Sequence, residues 1–220
     1  MNAGASAAVN APLPRWHAIP FAGLLLVLPF PGTVALRLAC LAAAFLVALL
    51  WWRRLAPPPV PGKPALIAWA VVALASLAYA VDPVYSLAEI KNELGYAMMA
   101  FLAFFAVTRD ESQLRLWVCA SIAAAVIISA WALLVRAQAG YWDDGRGHGG
   151  VGSFASLVAT VMPMMAMGWV LFARHWQRVV LALAAALVMT AAYHSHQRIL
   201  WAALGVELVL ALVLLRLVGR

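Results

Sequence analysis

Residues 116–135 read LWVCASIAAAVIISAWALLV, twenty positions without a charge, closed by Arg115 on one side and Arg136 on the other. An α-helix needs about 20 mostly apolar residues to cross the roughly 30 Å hydrocarbon layer of a bilayer. This stretch meets that requirement alone. Seven further apolar runs lie around it, at 19–30, 33–52, 65–81, 94–107, 154–172, 179–193 and 199–217. The first two are separated only by Pro31 and Gly32, and read as a tight hairpin or as one broken span. The chain is 66% hydrophobic and 10% charged, where soluble domains carry roughly a quarter charged residues. That excludes a water-soluble globule, a disordered chain, a collagen-like chain and a disulfide scaffold. Cys40 and Cys119 both fall inside apolar runs, as small buried side chains do. The fold class expected is all-α, a polytopic bundle of about eight transmembrane helices.

The net charge of +7 comes from basic residues scattered singly between the runs. No basic block or stripe is present, so no nucleic-acid partner is expected. Lysine and arginine favour cytoplasmic loops. With the N-terminus inside, Arg15, Arg53, Arg54, Lys63, Arg109, Arg115, Arg174, Arg178, Arg216 and Arg220 fall inside. Arg37, Lys91, Arg136, Arg146 and Arg198 fall outside. Ten against five is the bias a polytopic membrane protein shows. Trp51, Trp52, Trp117, Trp142, Trp176 and Trp201 lie near run ends, where indole rings anchor at the membrane interface. Residues 1–17 read as a disordered cytoplasmic N-terminus and 18–220 as the membrane domain. No small-x-small cleavage site follows Phe30, so the first run reads as an uncleaved span. The proline-rich stretch 56–64 is a stiff connector on the inner side.

Polar residues at or near membrane depth are costly and therefore informative. Two clusters fall outside. One runs from Arg136 through Tyr141, Trp142, Asp143, Asp144, Arg146 and His148, with five glycines between Gly145 and Gly152. Such a loop is flexible and lets backbone approach a ligand closely. The other is His194, Ser195, His196, Gln197 and Arg198. A guanidinium at 198 suits a phosphate or diphosphate through its planar fork; it also suits an interfacial anchor that snorkels to headgroups. If the last helix extends back one turn, His194 and Arg198 share a face. The His-x-His spacing is weak for a metal. Asp143 and Asp144 read either as a solvated acidic loop or as holders of a divalent ion on a diphosphate. Glu207 lies nine residues beyond Arg198, about 13 Å deeper along a helix, as a packing carboxyl or part of a proton path. No phosphate loop, Rossmann fingerprint, zincin motif or serine-hydrolase elbow is present. An enzyme of this composition would act on an activated lipid-linked substrate.

The stretch 144–220 resembles the opening of the O-antigen ligase/polymerase domain. A basic, glycine-rich outside loop precedes an apolar run containing Pro163. A basic inner turn follows, Arg174 to Arg178, then a further span. Next comes a Thr/Ser-x-Ser-Arg motif, here Ser195-His196-Gln197-Arg198, with Gln197 in place of the usual serine. The Asn-Pro-Asn that often follows the glycine loop is replaced by Ser153-Phe154-Ala155-Ser156. The resemblance implies a glycosyltransferase-C-like membrane fold at the periplasmic face of the bacterial inner membrane. It implies metal-independent, inverting transfer of a glycan from undecaprenyl diphosphate to lipid A-core, with no cofactor. Polymerisation of repeat units is the family's other reaction. Arg198 would be the catalytic cation on the leaving group, with Arg136, Arg146, His148, His194 and His196 as diphosphate or sugar contacts. Membrane lipids would surround the chain. The family's second arginine and histidine base lie on a later periplasmic loop, so the C-terminal half of the domain is expected to be absent from these residues, and the 220 residues alone are expected to be inactive.

Two other classes fit the composition. A transporter would need polar residues at mid-bilayer in several spans and usually repeated halves; Glu207 alone qualifies clearly. A non-catalytic assembly subunit would tolerate replacement of every outside polar residue.

Overall fold

A computed structural model of the protein describes residues 15–55, 57–60, 62–142 and 150–218. Among them the secondary structure is entirely helical. The helices are α1 (Ile19–Val27), α2 (Val34–Leu55), α3 (Lys63–Ala75), α4 (Pro83–Ile90), α5 (Tyr96–Val107), α6 (Glu111–Ala139), α7 (Val151–Leu171), α8 (His175–His194) and α9 (Arg198–Val218). Short 3-10 turns cover Arg15–Ala18 and Ser76–Tyr79, and one π turn, Lys91–Gly95, joins α4 to α5. Four segments are long and apolar enough to cross a membrane: Val34–Trp52, Glu111–Ala139, Val151–Leu171 and His175–His194. Trp16–Val27, Lys63–Tyr79 and Tyr96–Val107 form shorter apolar helices. Large apolar side chains stand exposed along these elements, among them Leu50, Val72, Leu134, Val170 and Leu183. That surface suits lipid, not water.

The chain divides into two units. The first comprises the described residues up to Phe21 together with Leu38–Arg109. α2 turns Leu41, Ala44 and Ala48 inward at spacings of three and four, the stripe an α-helix presents to a partner. α5 buries Ala103, Ala106 and Val107, and Phe21 meets the Phe104 ring edge-on at 5.1 Å. His17 is buried, stacked on Trp16 at 3.6 Å and edge-on to Trp51 at 4.8 Å. This aromatic packing accompanies a helical turn over Arg15–Ala18. α3 and α4 bury no residue.

The second unit comprises Ala22–Arg37 and Asp110–Arg220. α6 packs on both α7 and α8, α7 packs on α8, and α9 packs on α7. Without a hydrophobic drive between helices in lipid, close association relies on small residues and van der Waals contact. α6 supplies them: Ala120, Ser121, Ala124, Ala125, Ser129 and Ala132 are all buried. Phe154, Val158, Val161 and Met165 of α7, Leu181, Val188 and Ala191 of α8, and Leu200 of α9 complete the core. At Gly168 the helices close tightly. A Cβ there would meet Phe172, Leu181 and Val118 at 3.3, 3.4 and 3.4 Å. The start of α6, the end of α7 and the start of α8 thus share one end of the unit.

The termini of α6 follow from its sequence. Asp110 caps it, accepting from the Gln113 N–H at 2.8 Å and the Ser112 hydroxyl at 2.6 Å. These bonds, the hydroxyl's first, hold the Asp110 carboxyl below its ordinary range. The cap is therefore intact above the unfolded carboxyl's pKa, about 4, and fails as pH falls through the lowered value. At the other end Gly140 takes a left-handed φ of 79° and returns its N–H to the Arg136 carbonyl at 2.8 Å, a glycine C-cap.

Candidate functional site

The candidate residues sit on the turns at the other end of the second unit. Arg136 lies in the last turn of α6 and is half-buried. Trp142 follows the Gly140 cap and tilts onto Phe154, the fourth residue of α7, with ring centroids 4.9 Å apart. Phe154 shares the core with Ala191, Ala192 and Leu200. Trp142 and the start of α9 thereby share one apolar floor. Asp143, Asp144, Arg146 and His148 lie outside the described residues.

The α8–α9 connection is short and specific. α8 ends at His194 and α9 begins at Arg198. Ser195 is buried; its N–H returns to Ala191 and Ala192, and its hydroxyl donates to the Ala192 carbonyl at 2.8 Å. That hydroxyl is committed to the helix end. His196 then takes φ 53°, the one left-handed residue other than glycine among those described. Such a conformation costs a non-glycine residue about 1–2 kcal/mol. The reversal ends α8, so the last helix does not extend back through His194. The condition for a face shared by His194 and Arg198, a last helix extended back one turn, is not met, and a turn stands between them.

This turn presents a compact aromatic and cationic group. The Tyr193 ring is edge-on to His194 at 5.3 Å and tilted to His196 at 6.4 Å. His194 is half-buried, and its Nδ1 is fully covered with no hydrogen-bond partner among the described residues. His196 and Arg198 are exposed. Among the described residues no hydrogen bond or ion pair engages the guanidinium of Arg136 or Arg198. Both keep the five donors of an uncommitted fork. Tyr193 is both the last residue of the apolar run at 179–193 and the immediate neighbour of the histidines.

Arg37 is different in kind. Its Nε donates to the Thr33 hydroxyl at 3.2 Å and its Nη2 to the Phe30 carbonyl at 3.3 Å. It is spent on the α1–α2 turn. Glu207 is half-buried on α9. No group of three or more histidine, cysteine or carboxylate side chains able to hold a metal occurs among the described residues. Comparison with known protein families, curated proteins and solved structures finds no match to this chain.

Proposed function

We propose that this chain takes part in O-antigen ligase-like glycosyl transfer at the periplasmic face of the bacterial inner membrane. The observation that carries the reading is the uncommitted Arg198 guanidinium on a turn beside two histidines and a tyrosine. It joins the resemblance of 144–220 to the family's opening motif. The four long helices, the three shorter apolar ones and Arg198–Val218 make up the eight-span arrangement of this proposal. Arg136 and Arg198 would then face the periplasm with the glycine-rich loop.

In the reaction, an acceptor hydroxyl oxygen on lipid A-core bonds to the anomeric carbon of the glycan. The bond from that carbon to the diphosphate oxygen breaks, and undecaprenyl diphosphate leaves with the electron pair. The hydroxyl proton goes to the histidine base that the resemblance assigns to a later periplasmic loop. Arg198 binds the diphosphate and holds the charge that develops as it leaves; such preorganised donors act most strongly in the transition state. Arg136 and the two histidines would hold the remaining phosphate and sugar oxygens. Polymerisation of repeat units uses the same donor and the same leaving group.

The test is Arg198→Ala in the native gene, read as lipopolysaccharide capped with O-antigen on a gel. Loss of one transition-state donor costs about 100- to 1,000-fold, enough to abolish visible capping. Arg198→Lys keeps the charge without the fork and is expected to retain a small fraction. Normal capping in Arg198→Ala at equal protein level removes that residue from the mechanism.

A further inference from the structure

The opposite end of the second unit carries a second cationic surface with its own geometry. α7 ends at Leu171 and α8 begins at His175. Between residues 171 and 180 stand Arg174, His175 and Arg178, and no acid. The carboxylate of Glu111, two turns before Val118 on α6, is taken by Arg115 at 2.7 Å. Arg178 is fixed: its Nε donates to the Phe172 carbonyl at 3.0 Å, and its guanidinium stands 6.0 Å from the Trp169 ring centroid. Its Nη groups have no partner among the described residues. Arg174 and His175 are exposed beside it, and the Arg174 N–H is held by Gln177 Oε1 at 3.3 Å.

Apolar surface continues directly from these charges. Trp169 and Trp176 are 50% and 58% exposed, and Val170 is 80% exposed. A soluble phosphate would use the cations and leave the indoles bare. A phospholipid uses both: its phosphate meets Arg174, His175 and Arg178, and its acyl chains cover Trp169, Val170 and Trp176. Indole rings at the headgroup level and cations reaching the phosphate are the ordinary means of such recognition.

We infer that the α7–α8 turn binds the phosphate of an anionic phospholipid, with Arg174 and Arg178 as its cations and Trp169 and Trp176 as its acyl-chain walls. The site stands on the described turn alone and does not depend on the glycosyl-transfer reading. A lipid held there would tether the end of the bundle where α6, α7 and α8 close around Gly168.

Native mass spectrometry of the purified chain tests it, with phosphatidylglycerol and phosphatidylcholine of equal acyl length competing for the protein. The wild type is expected to retain phosphatidylglycerol preferentially. A basic side chain near an anionic headgroup is worth about fivefold in affinity, so Arg174→Gln is expected to lower the preference about fivefold. Lys63→Gln, at the start of α3, is expected to leave it within about twofold on the same scale. Trp176→Ser is expected to weaken both lipids together. No headgroup preference in the wild type, or an unchanged preference in Arg174→Gln, overturns the inference. Displacement of the lipid by millimolar inorganic phosphate also overturns it, since that assigns the cations to a soluble anion.

Discussion

At the scale of single residues, Arg37 and Arg198 show how one side chain does two different things at the edge of an apolar run. Arg37 is a clamp. The Thr33 hydroxyl donates to the Phe30 carbonyl at 2.5 Å and accepts from Arg37, while Gly32 supplies the φ of 76° that reverses the chain. The clamp sets Phe30, which packs against the core of the second unit. Hydrogen bonds from a charged donor contribute about 1.5–3 kcal/mol each, less where water competes. Arg37→Ala is therefore expected to cost about 1–2 kcal/mol, a fall of a few degrees in the melting temperature of the detergent-solubilised chain. Arg198→Ala removes no partner and is expected to stay within about 0.5 kcal/mol. A larger loss in Arg198→Ala than in Arg37→Ala would exchange the two roles. Charge and hydropathy alone do not separate these arginines. Each sits at a run's outer edge, and what distinguishes them is a threonine four residues before Arg37 and the turn geometry that aims its hydroxyl.

At the scale of elements, the sequence carries the long helices well because one physical requirement dominates them. In lipid every backbone N–H and C=O must find its partner within the segment, so an uncharged run of twenty residues has one outcome. Val34–Leu55, Glu111–Ala139, Val151–Leu171 and His175–His194 follow their runs, and α7 continues through Pro163. Ends and breaks are less legible. The run at 65–81 becomes α3 and a 3-10 turn, and that at 94–107 begins inside the π turn. The candidate site depends on such a break, since His196 adopts a backbone conformation that no composition rule asks of histidine. Gly168 is a further case, a glycine whose reason is the neighbouring helices. Gly168→Ala gains up to about 1 kcal/mol of helix propensity and must push Val118, Leu181 and Phe172 by a few tenths of an ångström. The two effects nearly cancel, and its melting temperature is expected near that of wild type. Gly168→Val adds a branched side chain where three helices meet, and overpacking of that kind costs about 1–3 kcal/mol. A melt in which Gly168→Val matches wild type would mean that α6, α7 and α8 do not close at this point.

At the scale of the whole molecule, the second unit makes a prediction about sidedness that is independent of chemistry. α7 joins α8 through 172–174 and α8 joins α9 through 195–197, connections of three residues that are too short to recross a bilayer. Gly168 against Val118 and Leu181 fixes the order at one end, and Trp142 against Phe154 fixes it at the other. If α7 and α8 both cross the membrane, residues 141 and 196 are expected on one side of it and residue 173 on the other. Under the proposed reading the positive-inside bias then orients the pair, with Arg174 in the 172–174 turn and Arg178 just beyond it expected on the cytoplasmic side. With Cys40 and Cys119 replaced by alanine, single cysteines at Tyr141, Ala173 and His196 can be treated with a membrane-impermeant maleimide in intact spheroplasts. Tyr141→Cys and His196→Cys are expected to label, and Ala173→Cys only after lysis. Labelling of Ala173→Cys alone keeps the bundle and inverts it, which puts Arg198 at the cytosol and removes a periplasmic glycosyl transfer. Labelling that places 141 and 196 on opposite sides breaks the packing of α7 and α8 itself, because two helices paired along a common core from a shared turn cannot leave their far ends across a bilayer from one another.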